Sequence, residues 1–234
     1  MIKKLTVMVV AFASVSMSFA SEKIITVGTT GDYKPLTWYD AKTKIFSGTS
    51  VQLVEQFAKD NHLKIKFVKT TWPMLSSDLK ANKFEMAIGG ISVTPERSKD
   101  FLLSNPIETS GKMALIRCTD KKKYTNLKSI DQVSVKVVEN RGGTNEKFAL
   151  NNLHQATLII VPNNHLPFTY LRHKWADVMF TDAIEAKYKA SQKIGLCAVT
   201  GYQYDQVAKV AIFNKNQESL QKEFNQWLKV HAKP

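Results

Sequence analysis

Only two cysteines, Cys118 and Cys197, occur in this chain of 234 residues. Their separation excludes a CxxC redox pair and any zinc-finger spacing. Beyond the first twenty residues no stretch approaches the roughly 20 apolar residues that a membrane helix needs, so stable membrane insertion is not expected. His62, His154, His165, His173 and His231 form neither HExxH nor a compact Cys/His group, which leaves a metal site without support. A Gly-x-Ser-x-Gly elbow and a P-loop are also missing. Acidic residues are the scarcer charge, 20 against 33 Lys and Arg, for a formal net charge of +13. Such a field favours anionic ligands, although the lysines are scattered. The one dense run, Lys121-Lys122-Lys123, reads as a solvated turn. No RNA-binding aromatic motif or helix-turn-helix accompanies it, so nucleic acid is not an expected partner. Internal repeats and low-complexity linkers are absent as well.

What is present begins with a leader. Lys3 and Lys4, an apolar run over 5–13 and Ser18-Phe19-Ala20 ahead of Ser21 have the grammar of a secretory signal over residues 1–20. A retained amphipathic anchor is the rival, but no arginine-rich or stop-transfer pattern follows. Ser21 also denies a lipid anchor its cysteine. Removing the leader takes Lys3 and Lys4 with it and lowers the charge to +11. About 214 residues remain, enough for one large domain or two small ones. The expected destination is the periplasm. In that oxidising compartment Cys118 and Cys197 are expected to form a disulfide, with two buried thiols as the alternative.

Strand and helix patterns alternate along the mature chain. A strand over 24–27 closes on Gly28-Thr29-Thr30-Gly31-Asp32. Val51, Leu53, Val54, Phe57 and Ala58 give a helix two packing stripes as far as Lys59. A strand over 63–68 follows, then a helix capped by Thr71, with Pro73 in its first turn, running to Leu79. A strand over 84–88 ends in Gly89-Gly90, and Thr94-Pro95-Glu96-Arg97 opens a short helix. After an apolar run over 113–116 come a strand over 133–138, a helix from Thr144 and a strand over 158–161. A helix over 166–175, a strand over 178–180, a helix from about Ala183 and a return strand over 196–199 complete that half. The tail over 207–228 supplies a strand and an amphipathic helix with Leu220, Phe224, Trp227 and Leu228. The order predicts an α/β protein of two lobes with a ligand cleft between them. The first lobe is discontinuous, over 21–114 and 200–234, and the second runs over 115–199.

Two polar segments sit at the mouths of strand-to-helix turns in the second lobe. Asn140-Arg141-Gly142-Gly143-Thr144-Asn145-Glu146-Lys147 offers glycines, an N-cap candidate in Thr144 and exposed backbone N–H groups, a natural seat for an anion. Glu146 and Lys147 read as outer charges of that helix. Thr181-Asp182-Ala183-Ile184-Glu185-Ala186 carries two carboxylates three positions apart. Asp182 at the N-cap and Glu185 at N3 make an ordinary capping box, which would explain both. If Thr181 caps instead, both carboxylates can enter the cleft, where desolvation would raise a carboxyl pKa towards general-acid use. Arg97 can clasp a carboxylate bidentately, and its first-turn position is poor for helix-dipole stabilisation. Trp38 and Trp72 are candidate cleft walls, with core packing an equal competitor.

The run Val27-Gly28-Thr29-Thr30-Gly31-Asp32-Tyr33-Lys34-Pro35, followed by Gly90-Ile91-Ser92 and Arg97, resembles the periplasmic type 2 solute-binding proteins. Thr71-Trp72-Pro73, Gly111-Lys112, the Gly142 to Ala149 stretch and the Thr181 to Ala186 stretch are more specific. With the contexts Arg117-Cys118 and Leu196-Cys197-Ala198-Val199, they resemble the periplasmic cyclohexadienyl dehydratases, which act on prephenate and arogenate. The likeness runs from about Ile25 to Leu228. It implies the two-lobed type 2 fold, no cofactor, and loss of water and carbon dioxide from a small anionic cyclohexadienyl substrate. By position, Arg97 matches the arginine that holds a ligand carboxylate, and Asp182 the aspartate that holds an α-amino group in binding-protein relatives. Glu185 matches the glutamate regarded as the general acid. Trp72, Lys112, Asn140, Thr144 and Asn145 match positions around the ring and its carboxylate. Two departures stand out. Gly48-Thr49-Ser50 replaces the usual Gly-Phe/Tyr-Asp, putting a hydroxyl where an acidic cleft or capping group is usual, and the tail after Trp227-Leu228 is short. The alternative is a noncatalytic amino-acid-binding component that serves an ABC transporter in the membrane. Neither expectation chooses between prephenate and arogenate, and a homo-oligomer is left open.

Overall fold

The computed structural model describes residues 23–201 and 203–231, so the candidate leader lies outside the described residues. The chain opens with strands β1 (Ile24–Thr29), β2 (Asp32–Tyr33), β3 (Thr37–Asp40) and β4 (Ile45–Ser47) and helix α1 (Thr49–Asp60). Then come β5 (Lys64–Lys69), α2 (Leu75–Lys80), β6 (Met86–Ser92), α3 (Pro95–Asp100), β7 (Leu102–Leu103) and β8 (Glu108–Arg117). After a 3-10 turn at Cys118–Asp120 follow α4 (Leu127–Ile130), β9 (Lys136–Asn140), α5 (Thr144–Asn152), β10 (Thr157–Val161) and α6 (Leu166–Arg172). The chain continues through β11 (Val178–Asp182), α7 (Ala183–Ser191), β12 (Leu196–Ala198), β13 (Tyr204–Phe213) and α8 (Glu218–His231).

Ten of these strands hydrogen-bond along the path β10-β9-β11-β8-β13-β6-β1-β5, with β12 beside β8 and β7 beside β13. The antiparallel pair β8 and β13 sits at the middle and joins two parallel halves, β8 through β11 and β13 through β6. On one side β1 runs parallel to β5 and β6, and on the other β9 runs parallel to β10 and β11. The carboxyl ends of β6, β9 and β11 carry Ser92, Asn140 and Asp182. Loops at such ends are where an α/β sheet presents its ligand-binding groups.

Each half has its own apolar core. Ile25 and Val27 of β1 pack with Phe57 of α1 and with Leu220, Phe224 and Trp227 of α8. The tail therefore returns to the first core, and Trp227 adds a hydrogen bond from Nε1 to Asp60 at 2.9 Å. Met113 and Leu115 of β8, Leu171 of α6, Met179 of β11 and Leu196 of β12 build part of the second core. Burial of each such side chain is worth about 1.5–3 kcal/mol, which is what fixes the helices on the sheet. Cys118 and Cys197 form the expected disulfide, with Cα atoms 4.8 Å apart and a sequence separation of 79. The bridge fastens β12 to the end of β8, where Cys197 already stands opposite Ile116. Among the described residues no helix is long and apolar enough to cross a membrane.

Several boundaries differ from the sequence pattern for identifiable reasons. Thr71 does not cap α2 through its side chain. Its carbonyl instead accepts from Met74 and Leu75 N–H at 3.0 and 2.8 Å, so Pro73 lies in a turn and the helix begins at Leu75. Val133 lies outside β9 and is 78% exposed, because the strand starts only where Lys136 meets its partner Thr157. Strand β6 starts at Met86 and passes through Gly89-Gly90 to Ser92, since Ile91 and Ser92 pair with Val210 and Lys209. Gly90 takes φ 75°, and a Cβ there would lie 2.5 Å from the Tyr33 ring, so glycine is needed for this approach. Helix α6 stops at Arg172, two residues before Lys174 turns left-handed at φ 61°. The Lys121-Lys122-Lys123 run is an exposed turn.

Candidate functional site

Between the halves lies a narrow cleft. Tyr33, Trp72, Ser92 and Arg97 line it from the side of the first core. Asn140, Thr144, Asn145, Asn164 and Asp182 line it from the side of the second. Thr94 caps α3 by accepting from Arg97 N–H at 3.2 Å, with Pro95 at the first helical position, where its missing N–H costs nothing. The cap fixes the Arg97 backbone, and Nη1 donates to the Ser92 carbonyl at 2.7 Å. No other protein acceptor among the described residues hydrogen-bonds this guanidinium. Burial lowers its pKa while Glu96 and Asp182 oppose that shift, so an anionic ligand would relieve a partly desolvated cation. Trp72 packs edge-on against Tyr33 and donates from Nε1 to Asp32 at 3.1 Å. Trp38 is not part of this wall. Its ring meets His165 with Lys34 above it, and it does not line the cavity.

The turn into α5 differs in detail from its sequence expectation. Gly143 is the N-cap residue and makes no side-chain cap, so Thr144 is the first helical residue rather than the cap. The Thr144 hydroxyl is thereby free to accept from Lys112 Nζ at 2.9 Å. Glu146 reaches back to accept from Gly142 N–H at 2.6 Å, a local structural task rather than that of a loose outer charge. Gly142 has φ 82°, and a Cβ on it would lie 2.7 Å from the Pro73 backbone. Any larger residue would hold the two sides of the cleft apart here. The first-turn N–H groups of α5 have no intrahelical acceptors and remain available to an anion.

Asp182 is the electrostatic centre of the cavity. It occupies the N-cap position of α7 but makes no side-chain cap, which removes the capping-box explanation. Its Oδ1 accepts from Lys112 Nζ at 2.7 Å, and Oδ2 accepts from Lys209 Nζ at 2.5 Å and from the Tyr33 hydroxyl in a very short contact. Lys112 stands opposite Asp182 in the β8–β11 register and also donates to Asn145 Oδ1 at 2.5 Å. With Thr144 that uses all three of its N–H donors, so Lys112 offers charge to the cavity rather than a free hydrogen. Burial would raise the Asp182 pKa, but Lys112 and Lys209 outweigh it and hold the carboxyl below its usual range. Burial lowers Lys209 to about 8 against the pull of Asp182, whose charge is shared with Lys112.

Glu185 is fully buried one turn further along. Its Oε2 accepts from the Thr181 hydroxyl at 2.7 Å and its Oε1 from Asn164 Nδ2 at 3.1 Å. Desolvation pushes its pKa from 4.5 to about 8, against the Thr181 and Asn164 hydrogen bonds and the charge of Lys189, with a smaller push upward from Asp32. Burial therefore favours the protonated form of this side chain. Glu185 itself does not line the cavity. Asn164, which does, stands between them. Asn140 Oδ1 and Asn164 Oδ1 are both buried without a hydrogen-bond partner in the protein, leaving two neutral acceptors in cavity-lining residues. Thr49 and Ser50 begin α1 away from the cavity, and no side chain caps that helix.

Three contributors were not singled out from the sequence: Tyr33, Asn164 and Lys209. A lysine within the apolar run Val207-Ala208-Lys209-Val210-Ala211-Ile212 was a usable signal, because buried lysines require a partner. The Asn163-Asn164 turn at the carboxyl end of β10 was a weaker one.

The model of the bacterial extracellular solute-binding proteins, family 3, matches residues 25–233. The chain belongs to that family. It is 34% identical over 207 residues to a cyclohexadienyl dehydratase of Pseudomonas aeruginosa, covering 88% of this chain and 77% of that one. It is 25% identical to the L-cystine-binding protein TcyJ of Escherichia coli K12, over 85% of this chain and 74% of that protein. Among solved structures, the ancestral amino acid-binding protein AncCDT-1, a precursor of cyclohexadienyl dehydratase, superposes with a TM-score of 0.81 at 29% identity, covering 88% of both chains. The holo arginine-binding protein ArgBP of T. maritima gives 0.80 at 19% identity, over 90% of this chain and 91% of that one, a likeness of fold. The family is extracellular and binds small solutes in a two-lobed α/β frame.

Proposed function

We propose that this protein is a cyclohexadienyl dehydratase that removes water and carbon dioxide from prephenate or arogenate. The observation that carries this reading is Glu185, a fully buried carboxyl hydrogen-bonded to the cavity-lining Asn164, with its pKa pushed by burial up to about 8. Expulsion of a ring hydroxyl needs an acid held in its protonated form, a task that such a carboxyl can perform.

In the proposed reaction Arg97 and the first turn of α5 anchor the substrate carboxylates. Glu185 gives its proton to the ring hydroxyl as the carbon–oxygen bond breaks. The ring carboxylate leaves as carbon dioxide, and the electron pair of its carbon–carbon bond enters the ring, completing the aromatic system and displacing water. Prephenate gives phenylpyruvate and arogenate gives phenylalanine. Glu185 is left as a carboxylate and regains a proton from solvent. Aromatisation supplies the driving force, so the protein's tasks are orientation and proton delivery. The cleft must widen to admit the ring, and Asn164 must yield its place at Glu185 to the leaving hydroxyl. The leader over residues 1–20 would place the enzyme in the periplasm.

The rival is a noncatalytic amino-acid-binding component of an ABC transporter, favoured by the amino-acid-binding relatives. The engagement of both Asp182 oxygens by lysines speaks against it, because an amino acid brings an ammonium group of its own. Incubation of the mature protein with prephenate, following phenylpyruvate, separates the two. Binding of amino acids without turnover of either cyclohexadienyl substrate would establish the rival.

A further inference from the structure

We propose that the cavity selects a 2-oxo acid over the corresponding 2-amino acid, and that Lys209 sets this preference by occupying Asp182. The inference rests on the dehydratase reading for the ring substrate. It deepens that reading by choosing the side-chain chemistry.

Asp182 is the one ionised carboxylate among the described residues that line the cavity. A carboxylate has about four lone-pair sites. Here Lys112, Lys209 and the Tyr33 hydroxyl take three of them, two of the donors being full positive charges. A substrate ammonium arriving at Asp182 would be a third cation at one anion, within close range of Lys112 and Lys209. Like charges at that range repel strongly in a site shielded from water. A keto oxygen or a second carboxylate would instead meet a surplus of positive charge.

Lys209 is the component that makes the difference. It is 2% exposed on the central strand β13, and its Nζ bonds only Ser92 and Asp182, both of which line the cavity. Glu108 faces it across the β8–β13 register, with its carboxyl pKa raised by burial, but does not line the cavity. With Arg97 and Lys112, Lys209 leaves the cations outnumbering the ionised carboxylates, the balance expected for a dianion. The acceptors still unpaired, Asn140 Oδ1 and Asn164 Oδ1, are neutral amide oxygens suited to a hydroxyl donor.

The experiment compares kcat/KM for prephenate and arogenate in the wild type, Lys209→Met and Lys209→Arg. The wild type should prefer prephenate by roughly tenfold or more, and Lys209→Arg should keep that preference. Lys209→Met, which vacates one side of Asp182 without changing bulk much, should move the ratio towards arogenate by about tenfold or more. Equal wild-type efficiencies, or an unchanged ratio in a folded Lys209→Met protein, would overturn the proposal. Calorimetric titration of the wild type with phenylpyruvate and phenylalanine provides a test independent of turnover and of whether Lys209→Met folds. Tighter phenylpyruvate supports the selectivity, and equal or tighter phenylalanine overturns it. If neither cyclohexadienyl substrate is converted, the dehydratase reading fails alone, and that titration still decides the selectivity.

Discussion

Replacing Glu185 by Gln should make the protein more stable and nearly inactive at neutral pH. Burial pushes the pKa of the folded carboxyl up to about 8 from an ordinary value of 4.5. Folding at pH 7 therefore forces a proton onto a group that is ionised in the unfolded chain, a cost on the order of 3 kcal/mol. The sign follows from the raised pKa. The contribution of the neutral acid is fully present below the unfolded pKa and is lost as pH rises through the folded one. An amide carries no such penalty, and it can still bond to Thr181 and Asn164. The variant should then unfold up to roughly 6–12 °C above the wild type at pH 7, with the gap closing near pH 4. Because an amide cannot supply the proton, single-turnover product formation should fall by about 100-fold or more while ligand binding persists. Thermal scans from pH 4 to 8, with quench-flow assays on the same preparation, read both effects. A stability difference that does not vary with pH would show that Glu185 is not desolvated in the unliganded protein, and normal turnover would remove Glu185 from the chemistry.

Arg97→Ala should leave the fold intact and weaken capture of the substrate carboxylate by roughly 2–5 kcal/mol, seen chiefly in kcat/KM. Near-normal efficiency would exclude it from the site. Oxidised native protein should contain no alkylatable thiol before reduction, and loss of the Cys118–Cys197 bridge should cost about 2–4 kcal/mol in denaturant titrations. Asn164→Ala removes a hydrogen bond that lowers the Glu185 pKa, so the alkaline limb of the kcat/KM profile, which reports the free enzyme, should move to higher pH. An unmoved limb would mean that some other group titrates there.

The fold was legible because its periodicities are local. Val51, Val54, Phe57 and Ala58 mark the buried face of α1 in sequence just as they do in space. The boundaries that shifted depend on partners distant in the chain, as when Thr157 decides where β9 begins. The site divides in the same way. Arg97 and the Asp182–Glu185 turn were visible because each lies on a short motif with an awkward charge. Whether Asp182 and Glu185 merely cap α7 could not be read locally, because Lys112, Lys209 and Tyr33, which draw Asp182 away from capping, come from three other strands. Thr144 was misplaced for the same reason. Its hydroxyl suits an N-cap, but Lys112 from β8 holds it.

The acid and the cleft should be coupled. Asp32 and Tyr33 come from the side of the first core, yet the Asp32 carbonyl accepts from Asn164 at 3.1 Å and the Tyr33 hydroxyl donates to Asp182. These contacts cross the cleft and help to keep water from Glu185. If the lobes part in the absence of ligand, Glu185 is hydrated and its pKa falls back towards the ordinary carboxylate value. Ligand binding that closes the cleft should then take up a proton, approaching one per molecule between those two pKa values. Lys209 acts in the opposite sense, since burial lowers its pKa to about 8 and favours proton release. At about pH 6, however, Lys209 remains charged whether buried or hydrated, so the carboxyl dominates. Calorimetric titration with phenylpyruvate at that pH, in buffers of different ionisation enthalpy, counts the protons. Uptake in the wild type that disappears in Glu185→Gln would show that closure itself arms the acid. No uptake, or equal uptake in both proteins, would mean that Glu185 is already desolvated before ligand arrives.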